Sequence, residues 1–245
     1  VIYPGRGWDA AADMPGPDWG LLGGPANGTY AERITVPSDN VFAMPSRLSP
    51  EEGAALPVAA LTAFRALFTV ARLRAGERVL VLGAGSGVST FAVQLAHQAG
   101  ALVTVTSSSP DKLIRAMQIG AADGVLYTDP GWASAVGPVD VVLDSVGETW
   151  PQALRALRRG GRLVTFGATL APKVEVDVRH VYLNWLSILG TTLGSPGEFR
   201  ALLEMVAQAT WRPVIDSVYP LAEAQAAHRR LQSAEHFGKV VLTLR

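Results

Sequence analysis

The segment Gly83-Ala84-Gly85-Ser86-Gly87-Val88-Ser89 has the residue types to hold a phosphate. Small residues let a backbone turn sharply and come close to a charged group. A helix starting behind such a turn points free N–H groups and its positive dipole end at that group. A glycine-rich turn alone is weak evidence, because an ordinary tight turn looks the same; its context decides. Here Val79-Leu80-Val81-Leu82 precedes it as a short buried strand, and Val88, Ala92, Leu95, Ala96 and Ala99 follow at helical spacing. A second strand, Leu102 to Thr106, ends about twenty residues after the turn, where an NAD-preferring site places Asp or Glu on the ribose hydroxyls. This chain has Thr106-Ser107-Ser108-Ser109 and then Lys112. Hydroxyls and a lysine suit a 2′-phosphate, which a carboxylate would repel, so the pattern favours NADP(H) over NAD(H). Ser109-Pro110-Asp111-Lys112 also reads as a helix cap. Both readings can hold, because a cap is itself an anion site.

The elements that must position these residues alternate. Pro110 to Ile119 reads as a helix and Gly124 to Tyr127 as a third strand. After a short polar helix, Val139 to Leu143 is a fourth. Trp150 to Arg158 is helical, Arg162 to Phe166 a fifth strand, Ser187 to Thr191 a sixth, and Glu198 to Ala209 a further helix. Such alternation predicts an α/β fold, a doubly wound parallel sheet covered on both faces. Before it, the chain is rich in Gly and Pro. Tyr30 to Val36 alternates as a strand, Ser49-Pro50-Glu51-Glu52 is a helix start, and Thr62 to Val70 continues in helical style. Afterwards come a strand (Pro213 to Tyr219), an amphipathic helix (Leu221 to Ser233) and a last strand (Lys239 to Leu244).

Composition bounds the rest. The 21 basic and 21 acidic residues cancel, leaving no electrostatic footprint for nucleic acid or an acidic membrane surface. Arg155, Arg158, Arg159 and Arg162 form a local basic cluster, expected at a helix end where cations favour the dipole. With no cysteine, disulfides and thiolate zinc sites are excluded, in keeping with a cytoplasmic location. No apolar run reaches the roughly 18 residues of a membrane span, and no signal peptide opens the chain. The start at Val1 rather than Met suggests processing or the absence of an N-terminal portion. A Tyr-x-x-x-Lys pair is missing from all five tyrosines, which sets aside a short-chain dehydrogenase. Thr106 stands where a methyltransferase usually carries an acid.

In order along the chain, several short motifs resemble the medium-chain dehydrogenase/reductase superfamily, in particular its quinone oxidoreductase-like and zinc-type alcohol dehydrogenase-like members. They are Asn27-Gly28-Thr29-Tyr30-Ala31-Glu32, Ala54-Ala55-Leu56-Pro57, Leu61-Thr62-Ala63-Phe64, Gly76 to Val81, the glycine turn, Gln94-Leu95-Ala96, Gly120-Ala121-Ala122-Asp123, Asp144-Ser145-Val146-Gly147, Gly160 to Val164 and Phe237 to Leu242. The resemblance implies a partial GroES-like, β-rich catalytic domain over 1–57, an NADP(H)-binding Rossmann domain over 58–211, and a return to the catalytic domain over 212–245. It implies that Thr62 packs against the nicotinamide end and that Gly85, Ser86, Gly87 and Val88 hold the pyrophosphate. Ser107, Ser108, Lys112 and Tyr127 would face the ribose and its 2′-phosphate. Ser145, Val146, Phe166 and Gly167 would end strands at the ligand edge, and Gly238 and Lys239 would return to the cofactor.

The chain departs from the pattern in two places. Ser86 and Ser89 stand where many members have glycine, and Ser89 is expected to loosen helix–strand packing. Val58 stands where zinc-dependent members have a cysteine, and the four-cysteine zinc loop is absent near Trp8 to Trp19. His97, His180, His228 and His236 show no ligand spacing; His97 and His228 read as polar-face helix residues. The implied activity is zinc-independent hydride transfer from NADPH to a quinone, enone or other activated carbonyl. The alternative is an NADP(H)-binding protein or truncated homologue without turnover. No residue stands out as an acid or base. Tyr182 and Asn184 could border the substrate cleft, or form a surface loop or subunit contact. The sixth strand often pairs across a two-fold axis in this family, so a homodimer is expected.

Overall fold

The computed structural model describes residues 1–244. Two compact units emerge: Thr62–Thr192 is continuous, and Val1–Leu61 joins the segment from Leu193 onward in the other.

In the discontinuous unit, β1 (Gly5–Arg6), β2 (Gly20–Leu22) and β3 (Pro25–Ala26) form a small sheet. Helix α1 (Pro50–Ala55) starts on a capping box, as its sequence signature predicts. The Ser49 hydroxyl accepts from the Glu52 amide at 3.2 Å, and the Glu52 carboxylate accepts from the Ser49 amide at 2.8 Å. Helix α2 (Ala59–Phe64) crosses into the continuous unit and widens to a π-helix over Arg65–Val70. The Ala71 amide there donates to the Ala66 carbonyl at 2.9 Å, five residues back.

The continuous unit then alternates strand and helix: β4 (Arg78–Val81), α3 (Gly87–Gln98), β5 (Leu102–Ser107), α4 (Pro110–Gln118), β6 (Asp123–Leu126), α5 (Trp132–Val136) and β7 (Val139–Asp144). It closes with α6 (Trp150–Ala156), β8 (Leu157–Thr165), α7 (Val178–Leu183) and β9 (Ser187–Gly190). The six strands are all parallel, in the order β6-β5-β4-β7-β8-β9. The order reverses between β4 and β7, which opens a crevice at their carboxyl ends. Val79, Leu80, Val103, Val105, Val141, Val142, Leu143, Leu163 and Val164 are buried, as a sheet covered on both faces requires. Leu80, Val142 and Leu163 cluster with Trp132 and Val136 of α5 and Ala153 and Leu154 of α6. The element read as a short polar helix is therefore anchored by two apolar side chains.

Helix α8 (Pro196–Gln208), β10 (Ile215–Pro220), α9 (Ala224–Gln232) and β11 (Lys239–Thr243) belong to the discontinuous unit, with β10 and β11 paired in parallel. Asp216 is the staple of this tail. Its carboxylate accepts from Arg230 at 2.9 and 3.0 Å, from the Phe237 amide at 3.0 Å and from the Ser217 hydroxyl at 2.9 Å. Burial pushes the carboxyl up, but these donors outweigh it and hold its pKa at about 2.

Two expectations are corrected. Tyr30 to Val36 bends at Ala31 and Glu32 and joins no sheet among the described residues. Alternation sets strand dihedrals, but a strand also needs a neighbour for its amides. The helix expected over Trp150 to Arg158 stops at Ala156, because Leu157 turns into β8 and pairs with Val139. Of the arginine cluster, only Arg155 lies in the last turn of α6. Arg158 pairs with Asp140, Arg162 with Glu77 at 2.6 Å, and Arg159 stacks on the Trp185 ring at 4.3 Å. The cluster thus has its own acidic and aromatic partners rather than a shared helix end.

Candidate cofactor site

The carboxyl edge of the sheet gathers most of the residues that the sequence singles out. At the end of β4, Gly83 adopts φ +74°, a conformation that disfavours side chains. Its amide donates to the Thr106 hydroxyl at 3.1 Å, and the Ala84 amide donates to the Thr106 carbonyl at 2.8 Å. Buried Thr106 at the end of β5 therefore sets the path of the glycine turn. Ser86 caps α3: its hydroxyl accepts from the Ser89 amide at 3.0 Å and lies 2.8 Å from the Ser89 hydroxyl. Ser89 is 1% exposed and reaches the Leu82 carbonyl at 3.3 Å. The expectation that Ser89 loosens the packing is thus corrected: its hydroxyl links the helix back to the strand. The amides of Gly87 and Val88 have no acceptor among the described residues, and both lie at the first turn of a twelve-residue helix. An anion placed before them meets unpaired donors and the positive dipole end.

One strand over, the Ser107 hydroxyl accepts from the Ser109 amide at 3.0 Å. Ser109 caps α4, its hydroxyl accepting from the Lys112 amide at 3.4 Å. The Tyr127 amide donates to the Ser107 carbonyl at 3.0 Å, which brings the residue after β6 beside the end of β5. Ser108 and Tyr127 are exposed, and Ser107 is buried with its hydroxyl proton still available to donate. No carboxylate ends β5.

On the other side of the crevice, Asp144 ends β7 and is fully buried. Its Oδ1 accepts from the amides of Val146 at 2.9 Å and Gly147 at 3.2 Å; its Oδ2 accepts from the Trp150 indole at 2.6 Å. The Thr165 hydroxyl lies 3.5 Å from the same Oδ2. The Phe166 amide donates to the Asp144 carbonyl at 3.0 Å, so Ser145, Val146, Phe166 and Gly167 share one edge. Thr62 is buried in α2 of the same unit. Gly238 and Lys239 lie in the discontinuous unit at the start of β11. Gly238 has φ +101°, and a Cβ there would strike the Val214 carbonyl. Burial pushes the Lys239 ammonium below the ordinary lysine value. Asn184 caps α7, donating to the His180 carbonyl at 2.9 Å, while Tyr182 is exposed. His97 is exposed on α3, and His228 on α9 lies 3.1 Å from the Tyr30 hydroxyl. Sequence reasoning passed over Asp144 as a site residue; the signal available was an acid closing the apolar run Val141-Val142-Leu143.

The model of a family described as zinc-binding dehydrogenase matches residues 119–242. A zinc-type alcohol dehydrogenase-like protein of Schizosaccharomyces pombe is 35% identical over 237 residues, covering 91% of this chain and 68% of the relative. The chain belongs to the medium-chain dehydrogenase/reductase superfamily. Two solved structures of medium-chain dehydrogenase/reductases extend the likeness. An NAD-dependent alcohol dehydrogenase is 36% identical with a TM-score of 0.93, covering 100% of this chain and 75% of its own. The quinone oxidoreductase of Thermus thermophilus, solved alone and with NADPH, is 38% identical with a TM-score of 0.77, covering 92% and 76%. This medium-chain dehydrogenase/reductase is an oxidoreductase by family. Among its described residues no group of three or more His, Cys, Asp or Glu could hold a metal ion. No helix is long and apolar enough to cross a membrane.

Proposed function

We propose that this chain is a zinc-independent reductase that binds NADP(H) along the carboxyl edge of β4, β5, β7 and β8. The observation that carries the reading is the pair of open amides on Gly87 and Val88, set behind the Gly83 turn at the point where strand order reverses. These amides, with Gly85 and Ser86, hold the pyrophosphate. Ser107, Ser108 and Lys112 at the start of α4, with Tyr127 alongside, take the ribose 2′-phosphate. No carboxylate ends β5 to oppose it, and Asp111 in the first turn of α4 is the one acid in that segment. Ser145, Val146, Phe166 and Gly167 border the opposite half, with Thr62 as a further cofactor contact. When bound, NADPH supplies a hydride to an electrophilic acceptor. With no ligand set for a Lewis acid in the described residues, the fitting acceptor is already activated: a quinone, enone or other conjugated carbonyl. The protein orients the partners and excludes water, and a proton from solvent completes the reduction. The likeness to the NADPH-complexed quinone oxidoreductase supports this reading, and the likeness to the NAD-dependent enzyme makes the cofactor test decisive. Titration with NADPH and NADH, followed by nicotinamide fluorescence, is expected to show NADPH tighter by at least about tenfold, the scale of one lost charge-assisted contact. Equal affinity, or tighter NADH, refutes the 2′-phosphate assignment; binding of neither refutes the enzyme.

The unit's edge supports a second copy as partner. Among the described residues, strand β9 pairs on one side only, with β8. Val178, Tyr182, Leu183 and Trp185 expose large apolar side chains just before it, with Trp185 at 65%. Edge-to-edge pairing of two β9 strands would cover both the open amides and this patch, giving a homodimer with a cytoplasmic role.

A further inference from the structure

We infer that Asp144 is a positioning residue for the nicotinamide half of the crevice, an inference that rests on the NADP(H) reading above. With the pyrophosphate at the start of α3 and the adenosine ribose beside β5, the sheet order leaves the other half of the dinucleotide over β7 and β8. The turn Ser145-Val146-Gly147 lies there, and its shape is set from below. Both of its forward amides, on Val146 and Gly147, end on Asp144 Oδ1. This is a side-chain turn of the kind aspartate makes, here completely buried. Gly147 is held at φ +89°, and a Cβ on it would collide with the Ala171 carbonyl. The following loop folds back on the same turn: the Thr169 amide and hydroxyl donate to the Ser145 carbonyl at 3.0 and 2.9 Å, and the Leu170 and Ala171 amides to the Val146 carbonyl at 3.1 and 3.2 Å. Val146 also faces the glycine turn, its Cγ2 lying 3.7 Å from where a Gly83 Cβ would sit. One carboxylate therefore fixes the turn that meets the glycine turn on one side and the loop after β8 on the other.

The second oxygen explains why the residue is an acid. Oδ2 meets the Trp150 indole N–H at 2.6 Å, a group that can only donate, while the Thr165 hydroxyl, 3.5 Å from Oδ2, has the Gly167 carbonyl as a nearer acceptor at 3.3 Å; the indole and the two turn amides are obligate donors, so both carboxylate oxygens must accept. Asparagine keeps one accepting oxygen for the turn but sets an N–H against the indole N–H. Trp150→Phe removes that opposing donor. The two substitutions therefore form a cycle in which the second relieves the first.

The test measures binding of NADPH and, separately, of adenosine 2′,5′-bisphosphate to wild type, Asp144→Asn, Trp150→Phe and the double variant. Circular dichroism first establishes that each is folded. Asp144→Asn is expected to weaken NADPH at least about tenfold, while adenosine 2′,5′-bisphosphate stays within about twofold. The double variant is expected to return to within about threefold of Trp150→Phe. A purely structural role does not produce this split, because general loosening weakens both ligands. Equal loss on the two ligands, no loss on NADPH, or no recovery in the double variant overturns the inference. Failure of wild type to bind either ligand overturns the cofactor reading itself, and the inference with it.

Discussion

Thr106→Val isolates one contact that shapes the glycine turn. The substitution keeps the side-chain volume and β-branching, suits a strand, and deletes only the hydroxyl that accepts from the Gly83 amide at 3.1 Å. Thr106 is 2% exposed, so water cannot replace that acceptor without rearrangement. A buried amide left unsatisfied costs about 1–3 kcal/mol. The backbone bond from Ala84 to the Thr106 carbonyl survives, which argues for the lower half of that range. Thr104, two residues earlier on the same strand, is the internal control. It is also buried, but its hydroxyl has no partner among the described residues. Thr104→Val is therefore expected to change stability by less than about 0.5 kcal/mol. Thermal melts by circular dichroism read the difference: a protein of this size loses roughly 2–4 °C per kcal/mol. NADPH titration reads whether the turn has moved. If the two valine variants melt together, Thr106 does not hold the turn and the reasoning fails.

Lys112→Ala is expected to weaken NADPH by about tenfold while leaving NADH within about twofold, measured by nicotinamide fluorescence; equal effects on both would remove Lys112 from the 2′-phosphate site. Asp216, held at about 2 in the folded chain against an ordinary 3.8, contributes stability that is fully present above about pH 4. That contribution is lost as pH falls through the range towards 2, so denaturation midpoints followed against pH should drop there in wild type and flatten in Asp216→Asn. Leu183→Asp, on the exposed patch beside β9, is expected to convert a dimer mass to a monomer mass in light scattering at tens of micromolar; a monomeric wild type would refute the pairing.

The sheet and the glycine turn are legible in the sequence because their signals are local. Buried parallel strands read as apolar runs, and the Gly83 turn lies between one such run and a helix-spaced stretch. Ser49-Pro50-Glu51-Glu52 and Ser195-Pro196-Gly197-Glu198 make the same capping box, so α8 starts two residues before the expected Glu198. What failed depends on partners distant in sequence. Tyr30 to Val36 has the pattern of a strand, but a pattern does not supply a neighbour. Arg158 and Arg162 read as a helix-end cluster because their acids, Asp140 and Glu77, lie 18 and 85 residues away in the chain. Ser89 departs from glycine in type, but its hydroxyl uses the space to hold the Leu82 carbonyl, a contact visible only in three dimensions.

The division of the chain has a consequence for the order in which it is made. Thr62–Thr192 is a single run, so every partner it needs has emerged once residue 192 leaves the ribosome. The other unit has to wait. The Tyr3 hydroxyl donates to the Gly194 carbonyl at 2.7 Å across 191 residues, Arg47 reaches the Trp211 carbonyl across 164, and Arg212 reaches Glu52 across 160. The first sixty-one residues therefore hold unmet donors, acceptors and apolar surface for most of translation, while the sheet behind them is already complete. During synthesis the vulnerable part is the segment up to Leu61, and a nascent chain stalled just after residue 192 has left the ribosome would expose that segment to proteases and chaperones with the six-stranded sheet already formed.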